Sequence, residues 1–175
     1  MFEKFEEFEK RKDYINWFKE IDKILLENWS IPESYIRMIY FLHNYLLEEV
    51  NNELDVEFCK ANLLKYFNEW LEKFWDDDIF LFFIWKILYI SEWYFWLSDD
   101  DKVLEEKLAF KMQLKALSKK PDNILYNWAV TFSRWDLYNS NKLKEQILND
   151  KTYLNWLIWY GFPWIYIISC LKFKY

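Results

Sequence analysis

The sequence predicts an all-α chain of stacked antiparallel helical hairpins, and three observations carry that prediction. The 175 residues contain one glycine and three prolines. Sandwiches, barrels and doubly wound sheets use many special turns, so this scarcity disfavours them and fits helices joined by short polar loops. Apolar residues recur at three- and four-residue steps, as in Leu63, Leu64, Phe67, Trp70, Leu71 and Phe74. The expected helix starts are evenly spaced along the chain. The length suits one domain, residues 1–175, with a sizeable core.

The helices can be placed in order. Ser30-Ile31-Pro32-Glu33 has the spacing of a capping box and opens a helix to about Val50. Asp55 caps the next, to about Trp75. Asp76-Asp77-Asp78 sets three carboxylates at the following N-terminus, where the helix dipole favours them. Ser98-Asp99-Asp100-Asp101 does the same before a helix over about 102–118. Pro121-Asp122-Asn123 opens a helix reaching about Tyr138, and Ser140 caps a short one to about Asn149. Two apolar pieces follow, separated by Gly161-Phe162-Pro163.

Tyr35, Ile79 and Ile124 each begin an aromatic helix, 44 and 45 residues apart, and a fourth start near Ile165 follows 41 later. Their partner helices begin near 13, 55, 99 and 141. About four units of some 44 residues make a HEAT- or TPR-like α-solenoid, a period close to the ~40–47 residues of HEAT and armadillo units. An irregular helical bundle is the alternative. Ala109, Ala116 and Pro121 fall where tetratricopeptide repeats place their second-helix alanines and closing proline, because small residues let helices approach closely. The Gly and Tyr expected in that motif's first helix do not occur at their places.

Composition narrows function. The chain has 12 Trp, 13 Tyr and 16 Phe and a net charge of −6. Phosphate binding needs clustered Lys and Arg, so nucleic acid is a poor direct ligand, whereas a basic protein is a compatible one. Phosphate-cradling loops need several glycines, and only Gly161 exists. Histidine-based catalysis has only His43, which sits inside a helical pattern and reads as structural. Cys59 and Cys170 form no close-spaced motif, so they read as buried thiols of a reducing compartment rather than a disulfide or zinc site. Neither Asp triplet has the alternating ligands and glycine of a calcium loop. The sequence therefore predicts no enzyme, cofactor or metal.

Two apolar stretches invite a membrane reading. Ile79–Leu97 carries Lys86 and Glu92, and Tyr153–Leu171 is broken by Asn155, Gly161 and Pro163. Charges near a bilayer centre are expensive, so the first stretch reads instead as the most buried helix of a soluble protein. The N-terminal MFEKFEEFEKRKDY has no apolar core and does not read as a signal peptide. With 41 aromatic residues, some must reach the surface, and Trp29, Trp93, Trp128, Trp135 and Tyr138 lie near expected helix ends. The rings and acidic loops give candidate partner-binding residues: Asp76, Asp77, Asp78, Asp99, Asp100, Asp101, Trp93, Trp135, Asp136 and Tyr138.

The runs FWDDDIFLFFIW (74–85), YFWLSDDDK (94–102) and NILYNWAVTFSRWDLY (123–138) give a small, acidic, aromatic-rich helical chain. It resembles the helical bacterial immunity proteins of contact-dependent growth inhibition and related polymorphic toxin systems. The likeness lies in composition and architecture. It implies a cytoplasmic monomer that binds a cognate toxin in a 1:1 complex. The implied toxin is a basic nuclease domain, an RNase of the EndoU type being one target, whose active site the protein occludes. The alternative is a helical-repeat adaptor that binds a peptide or another host protein.

Overall fold

The computed structural model describes residues 3–27, 31–48, 54–91, 102–159 and 162–172. Every regular element among them is helical: α1 Glu3–Arg11, α2 Tyr14–Leu26, α3 Pro32–Glu48, α4 Val56–Phe74, α5 Asp78–Ser91, α6 Leu108–Lys119, α7 Ile124–Ser133, α8 Leu137–Asn149, α9 Lys151–Trp159 and α10 Phe162–Lys172. A 3-10 turn at Leu104–Glu106 precedes α6. The chain divides into two compact units, Met1–Phe74 and Trp75–Tyr175.

In the first unit each helix packs on the next, from α1 to α4. Its centre is α3, which is buried at every position from Ser34 to His43. Trp17 stacks flat on Phe41 with ring centroids 4.1 Å apart, and Phe5 meets Trp17 edge-on at 5.0 Å. Burying such a ring removes roughly 150–250 Å² from water, about 4–6 kcal/mol before ordering entropy is subtracted. A polar strip joins three helices of this unit. The Tyr66 hydroxyl donates to Asp22, the Tyr35 hydroxyl to Glu69 at 3.2 Å, and Lys73 Nζ to the Tyr35 oxygen at 2.8 Å. Burial, then the Asp22 carboxylate, pushes the Tyr66 phenol well above its ordinary range.

In the second unit the helices also pack in succession, and α10 returns onto α5. Residues 80–85 of α5 are all buried. Ala109 and Ala116 on α6 and Ala129 on α7 are buried, and α6 packs on both α5 and α7. No helix among the described residues is long and apolar enough to cross a membrane. The stretch expected to be the most buried helix is described as α5 up to Ser91 and is buried from Phe80 to Trp85, and its residues 92–97 lie outside the described residues.

Short polar side chains start most helices. Asp55 Oδ1 accepts from the Phe58 amide at 2.8 Å, Asp77 Oδ1 from Phe80 at 2.8 Å, and Asp150 Oδ1 from Thr152 at 2.8 Å. Asn123 Oδ1 accepts from the Leu125 and Tyr126 amides at 2.9 and 3.3 Å. Each such cap satisfies amides that have no partner within the helix. The Ser30 cap lies outside the described residues.

Three boundaries differ from the sequence expectation. α6 begins at Leu108 rather than 102, because Lys107 is extended and the Glu106 and Lys107 amides are spent in the 3-10 turn. The helix expected to run to Tyr138 stops at Ser133, where the backbone turns left-handed. The next helix is capped by Asp136, while Ser140 is buried within it. As a result α3, α5 and α7 start 46 residues apart, at 32, 78 and 124, while α6, α8 and α9 break the even spacing of the partner helices.

Candidate partner-binding site

The first Asp triplet is engaged within its own unit. Asp76 pairs with Lys115 at 3.2 Å and also with Lys119. These lysines, Lys119 foremost, hold the Asp76 carboxyl below its ordinary range. Asp78 accepts from the Tyr126 hydroxyl at 2.6 Å and pairs with Lys120 at 2.9 Å. Asp77 caps α5, and burial raises its carboxyl despite the Phe80 amide. Lys115 also lies over the Trp75 ring, 4.6 Å from its centroid.

Two carboxylates at the start of α5, Asp76 and Asp78, thus meet three ammonium groups at the end of α6, on the sides the helix dipoles prefer. The arrangement ties α5, α6 and α7 together and leaves little net charge to attract a partner. Trp29, Trp93, Asp99, Asp100 and Asp101 lie outside the described residues.

Trp135 and Asp136 form the turn between α7 and α8, and Tyr138 follows in the first turn of α8. Trp135 has φ 56°, in the left-handed region. Its amide donates to the Phe132 carbonyl at 3.1 Å, and the Asp136 amide donates to Thr131 at 3.1 Å. This is the Schellman ending of a helix, whose left-handed position usually holds glycine. Asp136 then opens α8, accepting from the Asn139 amide at 3.2 Å and from Asn139 Nδ2 at 2.7 Å. Those donors hold the Asp136 carboxyl below its ordinary range. Around this rigid turn Trp135 is 68% exposed, Tyr138 80% and Leu137 37%. By contrast Trp128, another candidate surface ring, is in the core.

Among the described residues the same turn occurs once more, and the sequence holds its signal. Arg11-Lys12-Asp13-Tyr14-Ile15-Asn16 and Arg134-Trp135-Asp136-Leu137-Tyr138-Asn139 share the pattern Arg-x-Asp-x-x-Asn. Lys12 also has φ 56°, and the Asp13 amide donates back to Phe8 at 2.9 Å. Asp13 accepts from the Asn16 amide at 3.3 Å and from Asn16 Nδ2 at 2.8 Å. The left-handed position therefore takes lysine as readily as tryptophan, and the turn itself does not call for an exposed indole. The following residues differ too. Tyr14 and Ile15 are half-buried, Tyr14 packing on Phe41 and Tyr45, whereas Leu137 and Tyr138 face solvent.

Charge is divided unevenly between the two units. Residues 1–74 hold 16 Asp and Glu against 10 Lys and Arg, which accounts for the whole net charge of −6. Residues 75–175 hold 13 of each and are balanced.

The remaining reactive groups lie inside. His43 is fully buried in α3, and burial lowers it to about 4, so it is neutral at pH 7. Cys59 and Cys170 are both buried, and burial pushes the Cys59 thiol up to about 11. Among the described residues no group of three or more His, Cys, Asp or Glu is placed to hold a metal ion. No family model, curated protein or solved structure matches the chain.

Proposed function

We propose that this chain is a cytoplasmic immunity protein that binds a cognate bacterial toxin domain, a basic nuclease of the RNase class, and neutralises it by occluding its active site. The observation that carries the reading is the α7–α8 turn. It holds Trp135 and Tyr138 open to solvent on a backbone that does not need them there. Tryptophan and tyrosine are the residues most enriched at the energetic centres of protein interfaces. A residue whose backbone is already set by a hydrogen-bonded turn has less main-chain freedom to lose on binding, which favours affinity. The acidic excess of residues 1–74 supports a basic partner.

The test is co-expression with the product of the adjacent upstream gene, followed by growth measurement and capture. Rescue of growth with recovery of a stoichiometric complex supports the reading, and the Trp135→Ala/Tyr138→Ala variant should then lose both. A folded bait that recovers no toxin and rescues nothing rejects it in favour of an interaction adaptor.

A further inference from the structure

We infer that the lysine row of α6, formed by Lys107, Lys111, Lys115 and Lys119, is a docking surface for a short acidic segment of another protein. This surface is distinct from the Trp135 turn, and its test needs no toxin.

The four lysines recur at four-residue steps. Residues four apart are neighbours on a helix, so their side chains form one row about 18 Å long. The opposite face of α6 is core, where Ala109, Phe110, Met112, Gln113 and Ala116 are buried. Along the row Lys111 and Lys119 are exposed, and Lys107 and Lys115 are half-buried.

Folding does not call for this row. Like charges at four-residue spacing repel and weaken a helix. Lys107 also stands at the N-cap of α6, where the dipole disfavours a cation, and its side chain makes no capping bond. Asp76 relieves the far end by pairing with both Lys115 and Lys119, and Lys115 lies over the Trp75 ring. Lys107 and Lys111 have no ion pair among the described residues. Glu105 and Glu106, exposed in the preceding 3-10 turn, pair with neither of them. Sequences break local rules of this kind where a surface serves something besides folding, and an anion brought from outside would relieve the repulsion.

Charge and length choose the anion. The row offers two open ammonium groups and two more that share one carboxylate. A segment with three or four carboxylates over about a dozen helical residues matches it in charge and in length. Nucleic acid fits less well, because tight binding to it takes roughly 6–10 phosphate contacts. Its remaining phosphates would be repelled by a chain of net charge −6.

The test uses the full chain with isotopically labelled lysine. A deca-glutamate peptide is titrated at low salt and followed by lysine amide shifts. Shifts at Lys107, Lys111, Lys115 and Lys119 that fade at high salt are expected. Lys107→Gln/Lys111→Gln should weaken binding by roughly 3- to 20-fold, the sum of two exposed ion pairs. Asp76→Asn releases Lys115 and Lys119 and should tighten it by roughly 2- to 5-fold. Lys142→Gln/Lys151→Gln removes the same charge from exposed sites on α8 and α9 of the same unit. It should leave the affinity within about twofold.

Equal weakening by the two lysine variants would reduce the effect to net charge and overturn the surface. No shifts along the row, or weaker binding by Asp76→Asn, would overturn it as well. A uridylate decamer that binds the row more tightly than deca-glutamate at the same salt would overturn the acidic protein in favour of nucleic acid. The substituted lysines have no ion pair to lose among the described residues, and an unchanged circular dichroism spectrum confirms the folding of each variant.

Discussion

The turn at Lys12 and the turn at Trp135 share a backbone and differ in what they display. Both end one helix with a left-handed residue and begin the next with an aspartate bonded twice to an asparagine. One presents an ammonium in the acidic unit, and its next two residues turn partly inward. The other presents an indole, a leucine and a phenol in the charge-balanced unit. The shared Asp–Asn bonding under different side chains shows that the turn needs the Asp, the Asn and a residue that tolerates positive φ, and that lysine and tryptophan both serve at that position.

The largest expected effect is on binding. Trp135→Ala/Tyr138→Ala should weaken a toxin complex by ~2 kcal/mol or more, the scale of interface hot spots. Lys12→Ala at the twin turn should leave affinity within about threefold. Equal losses from both turns would break the contrast.

Acid separates the turns next, because His43 lies in the same unit as Lys12. Burial lowers its pKa to about 4, so the unfolded chain takes the proton first as pH falls. Stability present above about pH 6.5 is therefore lost between pH 6.5 and 4, by about 3 kcal/mol. Hydrogen exchange should show the Asn16 amide losing protection at pH 5 while the Asn139 amide keeps it, and His43→Gln should flatten that dependence. The caps come third. Asp13→Ala should destabilise by about 1 kcal/mol in thermal melts, and Asp136→Ala should act in the same direction.

The smallest effect has the opposite sign. A left-handed non-glycine residue is disfavoured by about 1–2 kcal/mol, while glycine adds about 0.5–1 kcal/mol of unfolded-state entropy. Lys12→Gly and Trp135→Gly should each stabilise by roughly 0.5–1 kcal/mol, and only Trp135→Gly should weaken binding.

The fold was legible because its signals are local. Asp55, Asp77 and Asn123 start helices at the places their sequence neighbours indicate, and Leu63, Phe67 and Trp70 are buried as their spacing requires. The end of α7 was not legible from hydrophobic periodicity, because Trp135 continues the apolar pattern while its backbone leaves the helix. A glycine there would have announced the turn. The repeated Arg-x-Asp-x-x-Asn pattern was the available signal, and reading it would also have placed the cap at Asp136 instead of Ser140. The pairing of Asp76 and Asp78 with Lys115, Lys119, Lys120 and Tyr126 joins positions about 40 residues apart. It depends on how α5, α6 and α7 pack, which no short-range pattern encodes. The division of charge was present in the sequence throughout, but it acquires meaning only once the boundary after Phe74 is known.

The turn that accepts lysine or tryptophan at one backbone angle also bears on how such a protein diversifies. Its capping residues and its displayed residues are different positions, so mutation can act on them separately. Unbranched side chains at position 135 meet a similar backbone penalty, Asn and Asp a smaller one, and β-branched residues and proline a larger one. Exchanging one unbranched side chain for another alters the displayed surface at little backbone cost. On the function proposed above, a lineage under pressure from a changing opponent thus has, in a single codon, a low-cost path from one specificity to the next.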